Sequence, residues 1–176
     1  MIVVIGRHNS GKSRLAEDLA VKTGFDRRYY IATMIVYDEE GRERIKKHRR
    51  EREGKGFVTL EIPYGVDGVT ETIDHLDSSV ILLECMSNLV GNEIYENSEN
   101  LDLCKPGEAS PDTLIDRIEE EIIRLSKSAG ELIVVTNEYD KHDVDDEMTL
   151  MYIDCLDRIN ERLMSAADKI YDLRKT

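Results

Sequence analysis

The sequence has little that would tie it together covalently or anchor it in a membrane. Of its 176 residues, only Cys85, Cys104 and Cys155 are cysteines, and they are widely spaced with no Cys-x-x-Cys pair. That pattern argues against a disulfide framework and a cysteine-based zinc site, and fits a reducing compartment, the cytoplasm. No apolar run approaches the ~18 residues that a membrane span needs. The first apolar run, Ile2-Val3-Val4-Ile5, is short and has no basic region before it, so it reads as a strand and not as a leader. There is no internal repeat and no linker-like stretch, and a single domain over residues 1–176 is expected. Positive charge is scarce too: 24 Lys and Arg stand against 37 Asp and Glu, a net charge of −13. Such a balance disfavours nucleic acid as the main partner.

What positive charge there is, is concentrated. Between Arg42 and Lys55 lie eight basic residues against Glu43, Glu51 and Glu53, so this segment carries +5. A cationic patch on an acidic protein suits a polyanionic small ligand. The plainer alternative is a solvated helix face with i,i+4 pairs such as Lys47 with Glu51.

One stretch carries a specific chemical signal. Gly6-Arg7-His8-Asn9-Ser10-Gly11-Lys12-Ser13 matches G-x-x-x-x-G-K-S, with an apolar strand before it and a helical pattern after it, where Leu15 and Leu19 recur four apart. Glycines let the backbone turn tightly and approach a phosphate with no Cβ in the way. The N–H groups at a helix N-terminus favour anions. Lys12 adds a point charge for the β/γ-phosphates, and Ser13 offers a hydroxyl to Mg²⁺.

Strands and helices alternate along the rest of the chain. Strands are expected at Ile2–Ile5, Tyr29–Thr33, Phe57–Ile62, Val80–Cys85, Glu131–Asn137 and Lys169–Leu173. Helices are expected at Lys12–Lys22, Asp38–Arg52, Val66–Leu76, Met86–Tyr95, from Pro111 through Leu125, and Asp146–Ala167. Residues 96–111 are polar and acidic, and read as a candidate lid. This order predicts an α/β fold with a mostly parallel sheet and helices on both faces. The near-continuous apolar run Val80–Leu83 suits a parallel strand buried on both faces.

In such sheets ligands collect at the C-terminal ends of the strands. Thr33, Glu84 and the Asn137-Glu138 pair should therefore converge with the phosphate loop. Glu84 stands where a carboxylate would support Mg²⁺; otherwise it is a plain strand-end acid. His48 shares a helix face with Arg44 and Arg52. An imidazole among cations is a candidate nucleophile towards an α-phosphate, although most histidines on charged helices are ordinary surface residues. His142 with Asp140, Asp143 and Asp145 is a weak metal candidate.

Taken in order, these residues resemble the bifunctional adenosylcobinamide kinase / adenosylcobinamide-phosphate guanylyltransferase family of cobalamin biosynthesis. The similarity rests on the loop Gly6–Ser13 with Arg14 and Glu17, Tyr30-Ile31-Ala32-Thr33, Arg44-Ile45-x-x-His48-Arg49 and Thr59-x-Glu61. It continues through Leu82-Leu83-Glu84-Cys85, Val135-Thr136-Asn137-Glu138 and Arg158-Ile159-Asn160-x-x-Leu163. The resemblance implies a RecA-like phosphate-loop fold, Mg²⁺ and GTP or ATP as nucleotide. It also implies a corrinoid substrate, adenosylcobinamide, and a homotrimeric assembly. It makes His48 the residue that is guanylylated, with Lys12 acting on the phosphates. The nucleotide contacts it implies are Gly6, Arg7, His8, Asn9, Ser10, Gly11, Lys12, Ser13, Thr33, Met34, Ile35, Arg49, Arg50, Arg52, Glu61 and Glu84, with Ser13 and Glu84 towards the metal. Three features depart from the family pattern. Arg7 replaces a second loop glycine, no Arg-Pro-x-x-Trp follows the histidine, and the turn after Glu138 is acidic rather than glycine-rich. A phosphate-loop kinase or NTPase acting on another small molecule is the alternative to this reading.

Overall fold

The computed structural model describes residues 1–96, 111–142 and 144–175, without the side chains of residues 40, 44, 47 and 51. The candidate lid falls largely outside the described residues.

Six strands form one sheet: β1 (Ile2–Gly6), β2 (Arg27–Ala32), β3 (Phe57–Glu61), β4 (Ser79–Glu84), β5 (Glu131–Asn137) and β6 (Lys169–Leu173). Their order is β3-β2-β4-β5-β1-β6, and every pairing is parallel. β5 is thus inserted between the strand that leads into the phosphate loop and the strand that ends in Glu84. This is the RecA-like arrangement of phosphate-loop proteins.

Each element forms for a local reason. β4 reads Ser-Val-Ile-Leu-Leu-Glu and is buried on both faces up to Leu83, as a central strand covered on each side requires. Helix α1 (Lys12–Lys22) begins after Gly11, which adopts a left-handed φ of 81°. Helix α2 (Glu39–Arg52) is capped by Asp38, whose Oδ1 accepts from the Gly41 N–H at 2.7 Å. Gly54 and Gly56, at φ 81° and 74°, turn the chain from α2 into β3. Helix α5 (Pro111–Ser128) buries Leu114, Ile115, Ile118, Ile122 and Leu125, the stripe that its periodicity predicts. Helix α6 (Glu147–Ala166) is capped by Asp146, which accepts from the Thr149 N–H at 2.7 Å.

The helices divide between the faces. Alternate residues Val4, Val80, Leu82, Ile133 and Val135 face α1 through Ala16 and Ala20. Val3, Ile81, Leu83, Leu132 and Val134 face α5, α6 and α4 (Met86–Tyr95).

The expected helix over Val66–Leu76 is broken. A 3₁₀ turn covers Val66–Gly68, a four-residue helix α3 covers Val69–Thr72, and a second 3₁₀ turn covers Leu76–Ser78. The Thr70 and Thr72 hydroxyls donate to the carbonyls of Asp67 and Val69, His75 adopts a left-handed φ of 62°, and Ile73 is extended. Side-chain bonds to nearby backbone compete with helix propagation in this way.

Candidate active site

The phosphate loop leaves β1 at Gly6 and enters α1 at Lys12. A Cβ built on Gly6 would sit 2.5 Å from Ser10 Oγ and 3.1 Å from Leu173 Cβ, so the loop is folded tightly against this position. Asn9 and Gly11 both take positive φ, 59° and 81°. Among the described residues no side chain caps the N-terminus of α1, and no acidic residue lies in its first turn. Its amide N–H groups and the positive end of its dipole are therefore left for an anion. Lys12 is only 8% exposed, and its ammonium donates to the Arg7 carbonyl at 2.8 Å. Burial draws that ammonium below the usual lysine range, against the opposing pull of Cys85 and Glu84. His8 and Asn9 stand exposed on the outside of the loop.

Glu84 meets the loop at the end of β4. Ser13 Oγ donates to Glu84 Oε1, whereas the buried Glu84 Oε2 has no hydrogen-bond partner among the described residues. Burial pushes this carboxyl above the ordinary carboxylate range, while the Ser13 hydrogen bond and the charges of His48 and Arg52 pull it back. His48 on α2 is thus within electrostatic reach of the Ser13–Glu84 corner. A hydroxyl beside a carboxylate with a free oxygen is a hard-oxygen set suited to Mg²⁺, which usually binds through one or two protein ligands plus substrate phosphates. Among the described residues there is no cluster of three or more His, Cys, Asp or Glu able to hold a metal alone. This covers His142 and Asp140, where Asp140 Oδ1 accepts from the His142 N–H at 2.9 Å; Asp143 lies outside the described residues.

Arg52 approaches the same corner from the last turn of α2. It is 6% exposed and lies over the Tyr30 ring, 3.5 Å from the centroid. Its Nε and Nη1 are buried without a hydrogen-bond partner among the described residues. Arg49, Arg50 and Arg52, with Phe57 and Thr59, line an open cleft of about 620 Å³. Arg49 donates to Glu61 at the end of β3.

Thr33 is fully buried, and its side chain serves the frame. It donates to the Cys85 carbonyl at 2.9 Å and accepts from the Cys85 N–H at 2.8 Å. Asn92 of α4 donates to the carbonyls of Thr33 and Pro63 at 2.6 and 2.8 Å, tying together the exits of β2 and β3. Met34 and Ile35, half-buried, begin the loop from β2 to α2.

Two supports join a residue that the sequence singled out to a partner it did not. Glu17, 3% exposed on α1, pairs with Lys55 at 2.5 Å and joins α1 to the turn after α2. Asn137 donates to Ser87 Oγ at 2.5 Å, joining the ends of β5 and β4. Lys55 between two glycines was the only local sign of the first pair, and nothing in the sequence marks Ser87.

A model of the family described as "Cobinamide kinase / cobinamide phosphate guanyltransferase" matches residues 2–174. The "Bifunctional adenosylcobalamin biosynthesis protein CobU" of Escherichia coli K12 is 30% identical, over 97% of this chain and 93% of the relative. The protein of the same name from Salmonella typhimurium LT2 is 31% identical over the same shares. Among solved structures, RadB recombinase superposes with a TM-score of 0.46 at 13% identity, covering 86% of this chain and 70% of the other. The flagellar accessory protein FlaH of Methanocaldococcus jannaschii gives 0.43 at 16%, covering 88% and 67%. No described helix is long and apolar enough to cross a membrane. The family match runs unbroken from the first strand to the last, and the chain therefore belongs to the cobinamide kinase / cobinamide phosphate guanyltransferase family.

Proposed function

We propose that this chain phosphorylates adenosylcobinamide and then transfers GMP from GTP to the resulting phosphate through His48. The supporting observation is that His48 lies within electrostatic reach of the Ser13–Glu84 corner beside the phosphate loop. A triphosphate held by Lys12 and the amides of α1 brings its phosphates to this corner. A bound Mg²⁺, held by Ser13 and Glu84, would neutralise phosphate charge there.

Guanylyl transfer then proceeds in two balanced displacements. An imidazole nitrogen of His48 attacks the α-phosphorus; the P–N bond forms, the α–β bridging P–O bond breaks, and pyrophosphate leaves. A phosphate oxygen of adenosylcobinamide phosphate next attacks the same phosphorus, releasing His48 and forming the diphosphate. In the kinase reaction the substrate hydroxyl attacks the γ-phosphorus and a nucleoside diphosphate leaves. Here the protein acts by positioning and charge, with Lys12 on the phosphates and Arg52 held by Tyr30. Assembly as a homotrimer and residence in the cytoplasm belong to the same reading.

Incubation with GTP labelled at the α-phosphate tests it. Wild type should retain an acid-labile covalent label, His48→Ala should retain none, and Lys12→Ala should lose both labelling and phosphoryl transfer. An unlabelled wild-type protein that still turns over nucleotide would overturn the guanylyl half.

A further inference from the structure

A second cleft, of about 430 Å³, opens beside the phosphate loop on the side away from His48. It lies at the C-terminal ends of β5, β1 and β6, whereas α2 with His48 connects β2 and β3 at the other end of the sheet. Its volume falls within the ~300–1,000 Å³ typical of small-ligand sites. Ile5 and Met164 give it an apolar component, Tyr139 presents a ring that is 40% exposed, and the cations Arg7, Lys141 and Arg174 stand against the carboxylates Glu138, Asp140, Asp157 and Glu161.

The cleft is built into the loop. Arg7 belongs to both, and the Glu138 N–H donates to the Gly6 carbonyl at 3.2 Å. Glu138 also pairs with Arg174 at 3.1 Å and reaches Arg7 at 3.9 Å, so one carboxylate joins β5, β6 and the loop. The chemistry proposed for His48 uses none of these groups.

A triphosphate in the loop can leave it in two directions. A nucleoside lying towards α2 would bring the α-phosphorus to the His48 side of the loop. A nucleoside lying towards β6 would instead leave the γ-phosphoryl end on the Glu84 side, since β6 and β4 lie on opposite sides of β1. We propose that the cleft seats the base and ribose of the phosphoryl donor, so that one loop serves two opposed nucleotide poses. This rests on the two-reaction reading above. Tyr139 and Arg174 offer flat surfaces on which a purine stacks, Arg7 supplies charge near the α-phosphate, and Lys141, paired with Asp157 at 2.9 Å, lines the ribose end beside Asp140 and Glu161. In this pose the substrate oxygen forms a bond to the γ-phosphorus, the β–γ bridging P–O bond breaks, the nucleoside diphosphate leaves, and the hydroxyl proton passes to solvent.

Tyr139→Ala and Lys141→Ala, both at exposed positions, test the proposal. Two quantities are compared with wild type: the nucleotide KM for phosphoryl transfer to adenosylcobinamide, and the rate of covalent GMP attachment to His48. The expected result is a KM raised about tenfold with the attachment rate within twofold of wild type. Titration calorimetry with Mg²⁺ and a non-hydrolysable ATP analogue should show the same loss of affinity. An unchanged KM and analogue affinity, or equal losses in both reactions, would overturn the second pose. A wild-type protein without phosphoryl transfer would tell against the two-reaction reading, and analogue binding unaffected by Tyr139→Ala would then overturn the cleft as well.

Discussion

Ser13 and Glu84, 71 residues apart, meet through a hydroxyl that donates to one carboxylate oxygen and leaves the other without a partner among the described residues. Glu84→Gln keeps the shape and removes the charge. Nucleotide turnover should fall about a hundredfold or more, with a weaker dependence on Mg²⁺. The melting temperature should not fall, because a buried carboxylate is replaced by a neutral amide. Steady-state rates across a Mg²⁺ series, together with calorimetry, check both parts.

Gly6→Ala puts a methyl group where Ser10 Oγ lies at 2.5 Å and Leu173 Cβ at 3.1 Å. The Ser10 hydroxyl must swing away and Leu173 must give by a few tenths of an ångström. Overpacking of this kind costs about 1–3 kcal/mol. Because the strain falls on the phosphate cradle, nucleotide affinity should drop roughly tenfold to a hundredfold, measured by titration with GTP and Mg²⁺.

Arg52 sets two effects against each other. Its contact with Tyr30 contributes about 2 kcal/mol where desolvated. Each buried donor without a partner costs about 1–3 kcal/mol, and more when charged; Nε and Nη1 both lack one among the described residues. The cost prevails, so Arg52→Met should match or exceed wild type in melting temperature without nucleotide. It should also show a smaller thermal shift on adding GTP and Mg²⁺. A clear loss of stability without nucleotide would show that the ring contact dominates.

Glu121 of α5 is remote from the site and 9% exposed, with Oε2 unpartnered among the described residues. Burial, with Glu93 and Asp67 nearby, pushes its carboxyl up to about 7, against a partial pull from Arg117. The folded value lies above the unfolded one. Its stabilising contribution is therefore complete below the unfolded value of 4.5 and is lost as pH rises through about 7. Glu121→Gln should be more stable than wild type by roughly 2–3 kcal/mol near pH 8, and should lose that advantage near pH 5. Melting curves of both proteins at the two pH values decide it.

Much of this arrangement was legible because its causes are local. Gly6–Ser13 announces itself through spacing and flanks, and Val80–Leu83 through an apolar run that only a doubly covered strand tolerates. The stripe from Leu114 to Leu125 does so through its period. The segment from Val66 to Leu76 misled because its apolar spacing suits a helix, while the Thr70 and Thr72 hydroxyls and the left-handed His75 break it into turns. Thr33 was legible as a strand-end polar residue, but its bonds to Cys85 depend on the pairing of β2 with β4. The cleft at Tyr139 and Arg174 was not legible at all, since it needs β5 and β6 on either side of β1. A crossover of that kind leaves no local trace in the chain.

The placement of β1 has a consequence for synthesis. Among the described residues its hydrogen-bonded neighbours are β5 and β6, which begin only at Glu131 and Lys169. β1 therefore leaves the ribosome well before either partner and is late to find its place. A nascent chain long enough to include Lys12, His48 and Glu84 still has no seat for its phosphate loop until residues beyond Glu131 have emerged. Nucleotide capture should thus wait for β5, because the loop has no seat before the strand beside it has formed.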